Sequence, residues 1–179
     1  AKRLLRAAAT QPDKTLFVAV AGGPGAGKST LAAAVARRAN ELSAHETRAP
    51  CVVVPMDGYH YTRAELRRLD PPDAAAFLPR RGSPWTFDAE GFCAALVALK
   101  HSGEASLPVY SREISDPVAD GVRVAAHHRI VLVEGNYLLL LDDPRWAPLG
   151  ELWDERWFVR CADRAEQRRR LIARHLETW

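Results

Sequence analysis

The sequence predicts a three-layer α/β/α sandwich with a mostly parallel β-sheet of about five strands and a helical lid. Two observations predict this fold class. Short, continuously apolar segments alternate with segments of helical period, and a glycine-rich turn joins the first apolar segment to the helix after it. Continuously apolar strands are typical of parallel sheets, because helices cover both faces of such a sheet.

The first half of the chain contributes two strands and two helices. Residues 2–9 favour a short helix, and residues 16–21 are apolar without alternation, as in a buried strand. An alanine-rich helix is expected over residues 28–42, with Leu31, Val35 and Leu42 on its apolar side. Residues 51–56 form the second buried strand, with Pro55 near its end because proline donates no ladder hydrogen bond.

The second half begins with an irregular excursion and ends in a basic helix. The expected elements are short helical pieces within 63–84, a helix from an Asp88 cap to about Lys100, a strand–turn–strand unit over 107–128 with Asp120-Gly121 as its turn, strands at 130–133 and 156–159, and a helix from Asp163 onward.

Composition indicates one ordinary globular domain over residues 1–179. The chain has 25 Lys+Arg, 22 Asp+Glu and 47% hydrophobic residues, which excludes disordered and collagen-like classes. The three cysteines lie far apart, which excludes a disulfide framework and a zinc ribbon and fits a reducing compartment. No apolar run approaches the roughly 20 residues of a membrane span, and the N-terminus lacks the apolar stretch of a signal peptide. We therefore expect a cytoplasmic protein with no membrane partner. The sequence does not begin with Met, so we expect a trimmed or processed N-terminus.

A phosphate-binding loop follows the first strand. The run Gly22-Gly23-Pro24-Gly25-Ala26-Gly27-Lys28-Ser29 matches G-x-x-x-x-G-K-[ST], with a strand before it and a helix after it. Glycines let consecutive backbone N–H groups turn toward a phosphate, and the helix start adds a positive dipole end. Lys28 is expected to reach the β- and γ-phosphates, and the Ser29 hydroxyl to bind Mg²⁺. The motif predicts a nucleoside triphosphate ligand, ATP with Mg²⁺, on a P-loop NTPase fold.

Acidic residues follow the next two core strands. Asp57 comes after the strand at 51–56 and Glu134 after the strand at 130–133. Because the carboxyl ends of parallel strands border the ligand crevice, both carboxylates should converge on the γ-phosphate. Phosphoryl transfer uses one such carboxylate to hold Mg²⁺ and one to deprotonate the acceptor hydroxyl. The alternatives are that Asp57 is simply a turn residue and Glu134 a solvated strand end.

These motifs resemble the P-loop kinase group that includes uridine kinase, phosphoribulokinase and bacterial pantothenate kinase. The likeness is strongest to a uridine kinase-like branch typified by a yeast ATP-dependent kinase and by kinase-like proteins linked to bacterial sugar transport. It rests on residues 22–30, 55–60, 81–88 and 133–139, and it extends over about residues 15–176. A guanine-reading N-K-x-D motif and the L-S-G-G-Q signature are absent from the sequence, which argues against a switch GTPase and an ABC-type ATPase.

The resemblance implies roles for individual residues. Thr30 extends the nucleotide-binding loop, Asp57 is the catalytic base, and Glu134 lies near Mg²⁺. Asp88 would hold sugar hydroxyls, and Tyr110 would lie against the substrate. In the helix at about 163–179, which corresponds to the lid of the group, Arg170 and Arg174 would reach the phosphates.

The chain departs from uridine kinases in two places. Residues 111–117 stand where those enzymes carry a base-reading histidine segment, which argues against uridine itself as the acceptor. The group also continues past the lid helix with a helix and a strand that help to hold adenine, whereas this sequence ends at Trp179. We therefore expect part of the lid and of the base pocket to lie beyond it.

Further candidates lie in the excursion at about 60–128, which we expect to bind the substrate. Tyr59 and His60 should face the acceptor, although His60 packing or capping locally is an equal alternative. Arg80 and Arg81 would bind an anionic group through their guanidinium forks, or form a solvated surface pair.

The sequence therefore predicts an ATP-dependent kinase that phosphorylates a hydroxyl of a sugar, nucleoside or related metabolite. A homodimer is left open. The first alternative is a nucleotide-binding NTPase or regulatory module without an acceptor. The second is an RNA-associated P-loop protein that uses the basic helix. We do not expect nucleic acid as a partner, because no recognised nucleic-acid fold accompanies that helix.

Overall fold

The structure, a computed structural model, describes residues 1–44, 50–69 and 77–178. Its helices are α1 (Lys2–Thr10), α2 (Lys28–Leu42), α3 (Arg63–Leu69), α4 (Ala89–Ser102) and α5 (Arg164–Thr178). Its strands are β1 (Leu16–Ala21), β2 (Cys51–Pro55), β3 (Ala105–Ser111), β4 (Asp116–Val124), β5 (Ile130–Gly135) and β6 (Glu155–Phe158). Short 3-10 helices lie at Met56–Tyr59, Leu78–Arg80, Pro84–Thr86 and Ala147–Glu151.

The main sheet is parallel and has the order β2-β5-β1-β6. It has four strands within the described ranges, one fewer than the approximate number expected, because β3 and β4 pair with each other in a separate sheet. In the ladder, β5 aligns Glu134 with Val20 of β1 and with Pro55 of β2. The carboxyl ends of β1, β5 and β2 therefore meet at one edge.

Helices cover both faces of this sheet, as the continuous apolar strands predict. On β1, Phe17 and Ala19 point into a core shared with α4, whereas Val18 and Val20 point into a core shared with α1 and α2. Successive strand residues alternate between faces, so both sets of side chains are buried. This alternation produces the predicted three layers.

The antiparallel pair β3–β4 corrects one expectation. Asp120-Gly121 lies inside β4 and not at the turn, which falls at 112–115 between the two strands. The register shifts between Leu107 and Val109, and Asp120 has a left-handed φ of 55°. The residue opposite the irregularity is Pro108, which has no N–H for the ladder, so the extra residues of β4 bulge there.

The excursion between β2 and β5 contains α3, α4 and the β3–β4 pair. The Asp88 carboxylate caps α4 by accepting a hydrogen bond from Gly91 N at 2.9 Å, as expected for a helix starting there. Among the described residues, no helix combines the length and the apolar character needed to cross a bilayer.

Candidate active site

The loop at residues 22–27 joins β1 to α2 in a phosphate-cradle geometry. Gly27 precedes the helix with a φ of 94°, a left-handed conformation that a side chain disfavours, although the space around it is open. Lys28 opens α2 with its side chain folded back over the loop, and the residue is 8% exposed. Its Nζ donates to Gly23 O at 3.1 Å and to Asn136 Oδ1 at 2.7 Å.

Ser29, in the first turn of α2, and Glu134, near the end of β5, lie close together. The Ser29 hydroxyl faces the Glu134 carboxylate and lowers its pKa; Glu134 lies at the end of β5 and is 8% exposed. The backbone of Gly135 lies close under Met56, because a Cβ on Gly135 would stand 2.6 Å from Met56 Cβ. Met56, which precedes Asp57, therefore packs directly against Gly135, which follows Glu134.

The charges around Glu134 favour a cation. Burial raises the pKa of Glu134, and the nearby Asp57 carboxylate raises it further, whereas Lys28 and the hydrogen bond from Ser29 lower it. The Asp57 carboxylate therefore opposes the ionisation of Glu134, and a bound cation would relieve that repulsion. A hydroxyl and a carboxylate oxygen are donors that Mg²⁺ accepts, with phosphates and waters completing its shell. Three or more acidic, His or Cys side chains arranged for a metal do not occur within the described part of the chain.

Asp57 lies in the 3-10 turn Met56–Tyr59, and it is exposed. Gly58 fixes this turn against strand β3, because a Cβ there would stand 2.1 Å from Pro108 O. The carbonyl of Asp57 accepts from His60 N at 3.2 Å and is 2.8 Å from His60 Nδ1, which leaves the carboxylate outside this turn's hydrogen bonds.

An aromatic cluster of His60, Phe87, Tyr110 and Tyr137 lies beside Asp57. The His60 ring centroid is 3.9 Å from that of Phe87 and 5.0 Å from that of Tyr110, and Phe87 lies 5.6 Å from Tyr137. Burial lowers the pKa of His60, so its ring is neutral at pH 7. Burial, followed by Asp57, raises the pKa of Tyr137, which connects the cluster electrostatically to that carboxylate.

Tyr59 lies on the other side of the turn. Its ring packs 4.9 Å from Phe92 and against the core. Burial, with a smaller effect of Asp88, raises the pKa of Tyr59 to about 12. The structure thus brings His60 and Tyr110 together and turns Tyr59 toward the core.

Arg81 is clamped by the protein. Its guanidinium donates to Tyr61 O at 2.7 Å and to Asp116 Oδ1 at 2.6 Å, also donates to Ser115 O, and lies 5.4 Å from the ring of Tyr110. Its side chain is 12% exposed. Arg81 therefore joins the segment before Phe87 to the β3–β4 pair and is not a solvated surface residue.

Helix α5, the predicted lid, rests on the phosphate loop. Asp163 caps it by accepting from Ala165 N at 2.8 Å. Gln167 Nε2 donates to Pro24 O at 2.7 Å, and Leu171 lies against Gly25. Arg170 is half exposed and pairs within the helix with Glu166 at 2.9 Å. Arg174 belongs to α5, but its side chain lies outside the described part of the structure.

Sequence reasoning missed three residues of this site. Asn136 binds Lys28, Gln167 binds the loop, and Asp116 binds Arg81. Asn136 carried a signal, because it follows Glu134 by two residues at the same strand end. Gln167 and Asp116 carried none, because their partners are 143 and 35 residues away.

Comparison with known proteins identifies relatives. The chain is 39% identical over 166 residues to "Putative uridine kinase C227.14" of Schizosaccharomyces pombe, an alignment that covers 92% of this chain and 68% of that protein. It is 40% identical over 126 residues to "ATP-dependent kinase-like protein notR'" of Aspergillus versicolor, with 68% and 71% covered. No family model matches the chain.

Solved structures agree with the fold. The crystal structure of a "putative fructose transport system kinase" from Silicibacter sp. TM1040 superposes with a TM-score of 0.79 at 35% identity, covering 98% of this chain and 79% of the other. YFH7 of Saccharomyces cerevisiae gives a TM-score of 0.82 at 20% identity, covering 99% and 85%, which shows a shared fold. The resemblance stated from the motifs and the predicted α/β fold class are thereby confirmed. The chain belongs to the uridine kinase-like branch of the P-loop kinases, which are ATP-dependent phosphotransferases with hydroxyl acceptors.

Proposed function

We propose that this kinase transfers the γ-phosphoryl group of ATP to a hydroxyl of a sugar, nucleoside or related polyhydroxylated metabolite, with Asp57 as the general base. One observation carries the proposal: Ser29 of the phosphate loop lies close enough to Glu134 to lower the pKa of that carboxyl group, and Asp57 follows the neighbouring strand, within electrostatic reach of Glu134. A kinase requires this combination of a metal-binding pair and a separate carboxylate.

Each half of the site has its own task. The loop at 22–30 and Lys28 bind the polyphosphate, and Ser29 and Glu134 would hold Mg²⁺. When bound, Mg²⁺ neutralises charge on the phosphates. The exposed Asp57 carboxylate accepts the proton of the acceptor hydroxyl, and Arg170 and Arg174 of the lid stabilise the transferring phosphoryl group and exclude water.

The acceptor half supports a hydroxylated substrate. The rings of His60 and Tyr110, tilted by 52° to each other, form an aromatic surface beside Asp57 that suits the C–H face of a sugar or a planar ring. Asp88 uses its Oδ1 to cap α4, and its charge reaches Tyr59 and Tyr61. We place Asp88 and Tyr59 behind the acceptor, and Arg81 as the clamp of the Tyr110 side.

A screen of hydroxylated metabolites with ATP and Mg²⁺ tests the proposal. We expect one class to be phosphorylated, and Asp57→Asn to lower that rate about 10²–10⁴-fold, the usual contribution of general base catalysis, with ATP affinity unchanged. Glu134→Gln is the matched carboxylate control: it should weaken Mg²⁺-dependent ATP binding. Hydrolysis of ATP that no acceptor accelerates across the screen would instead indicate the NTPase alternative.

A further inference from the structure

We infer that Asn136 is a positioning residue for Lys28: its side-chain amide directs the ammonium toward the γ-phosphate. The inference deepens the proposed function, because it rests on ATP binding at the loop but not on the identity of the acceptor. The central contact is the 2.7 Å hydrogen bond from Lys28 Nζ to Asn136 Oδ1.

The chemistry of the pair determines the orientation of the amide. An ammonium group has donors and no acceptor, so it is the oxygen of the Asn136 amide that must face Lys28. The backbone of Asn136 is also fixed. The residue directly follows β5, whose last pair with β1 is Gly135 with Ala21, and Gly135 lies against Met56. The acceptor oxygen is thus held by the sheet and not by a free loop.

A lysine ammonium needs a partner to fix its position, because its four-carbon side chain is flexible and its compact charge has no directional preference. Of the two acceptors described for Lys28, Gly23 O belongs to the phosphate loop itself and lies 3.1 Å away. Asn136 instead directly follows β5, the strand that carries Glu134 and adjoins the strand before Asp57. It therefore draws the ammonium toward the side of the loop where the γ-phosphate meets the acceptor. Loss of Asn136 should affect ATP, which has a γ-phosphate, more than ADP.

A double-mutant cycle tests this role. Dissociation constants for ATP and ADP, each with Mg²⁺, are measured by calorimetry on the wild type, Asn136→Ala, Lys28→Met and the double variant. We expect Asn136→Ala to weaken ATP binding by about 10-fold, the lower end of the range for one hydrogen bond to a charged group. ADP binding should weaken by less than about 3-fold, because ADP has no γ-phosphate for Lys28 to reach. In the Lys28→Met background it should have no further effect, because the residue acts through Lys28.

Asn40→Ala is the matched control. Asn40 also makes two side-chain hydrogen bonds, to Cys51 N at 2.9 Å and Cys51 O at 3.0 Å, at the opposite end of β2. It should lower the melting temperature and leave both affinities unchanged. If Asn136→Ala folds poorly, Asn136→Leu, which is similar in shape to Asn but has no acceptor for Lys28, repeats the cycle.

Two results would overturn the inference: an equal loss of ATP and ADP affinity, or a loss that persists undiminished without Lys28. Failure of the proposed function has a different signature. If the acceptor screen gives no phosphorylated product, the proposed function fails, but the binding energies of the cycle still test Asn136. If the effects of Asn136→Ala and Lys28→Met are additive, the inference on Asn136 fails, but a measured acceptor phosphorylation still supports the proposed function.

Discussion

Replacing Gly58 by alanine should disable the acceptor half of the site while sparing the nucleotide half. A Cβ at this position would stand 2.1 Å from Pro108 O, 2.5 Å from Pro108 C and 2.9 Å from Val109 N, all of them backbone atoms. Ordinary contact begins at 3.4 Å. Strand β3 or the turn with Asp57 must therefore move by about 1.3 Å, which is the difference between the 3.4 Å of an ordinary contact and the 2.1 Å to Pro108 O. A side-chain rotation cannot absorb this change, because the opposing atoms belong to the backbone.

The size of both effects follows from this displacement. A shift of about 1 Å in a reacting group costs on the order of 10²-fold in rate, so we expect acceptor phosphorylation to fall about 100-fold. Overpacking costs about 1–3 kcal/mol, which for a chain of this size lowers the melting temperature by roughly 2–12 °C. ATP affinity should change by less than about 3-fold, because the substitution does not touch the phosphate loop.

The assay compares initial phosphorylation rates, ATP dissociation constants and melting temperatures with those of Gly150→Ala. A Cβ on Gly150 would meet Leu141 at 3.5 Å, an ordinary contact, so this variant should behave like the wild type. The reasoning is refuted if Gly58→Ala melts at a lower temperature but keeps its phosphorylation rate, because Asp57 would then not depend on the packing of this turn.

Three further outcomes are expected. Because the pKa of Glu134 is higher in the folded than in the unfolded chain, its ionisation destabilises the fold increasingly as pH rises from the unfolded to the folded pKa. Glu134→Gln should therefore raise the melting temperature of the nucleotide-free protein at pH 7, and calorimetry against pH should show this gain shrink below the folded pKa and vanish below about pH 4.5. Arg81→Met leaves the partly buried Asp116 without its ion pair and should destabilise the protein by about 2–4 kcal/mol in denaturant unfolding. KM for the acceptor should rise more than KM for ATP, because Tyr110 loses its clamp, and equal changes in both KM values would contradict this reasoning. Gln167→Ala should speed amide exchange in α5 and leave that of β1 unchanged, and unaltered exchange in α5 would show that Leu171 alone docks the lid helix.

The nucleotide half of the fold was predictable because its determinants are local. Strand β1 and helix α2 begin and end at the expected residues, since an apolar run, a glycine loop and a helical period specify them within 27 residues. The ends of the parallel strands then brought Ser29 and Glu134 together, which their separation of over 100 residues alone would not suggest.

The acceptor half was less predictable because tertiary contacts decide it. Asp120-Gly121 has the composition of a turn, yet the proline opposite it makes it a bulge. Arg81 has the chemistry of an anion ligand, yet Tyr61 and Asp116, from two other segments, bind its guanidinium. The roles assigned to the acceptor-side and lid residues stay predictions until an acceptor is identified: Asp57, Tyr59, His60, Arg81, Asp88, Tyr110, Arg170 and Arg174.

This division has a consequence for substrate choice. The nucleotide half is built on strands β1 and β5, whose residues are almost wholly buried, so substitutions there threaten the fold. The aromatic cluster is formed where the turn after β2, the 81–87 segment and the β3–β4 pair meet, and Arg81 holds these pieces together. A change of acceptor can therefore arise by exchanging side chains on that surface while the clamp and the phosphate loop stay constant. Within a group whose named members include uridine and pantothenate kinases, His60 and Tyr110 are accordingly the positions where we expect acceptor preference to be altered first.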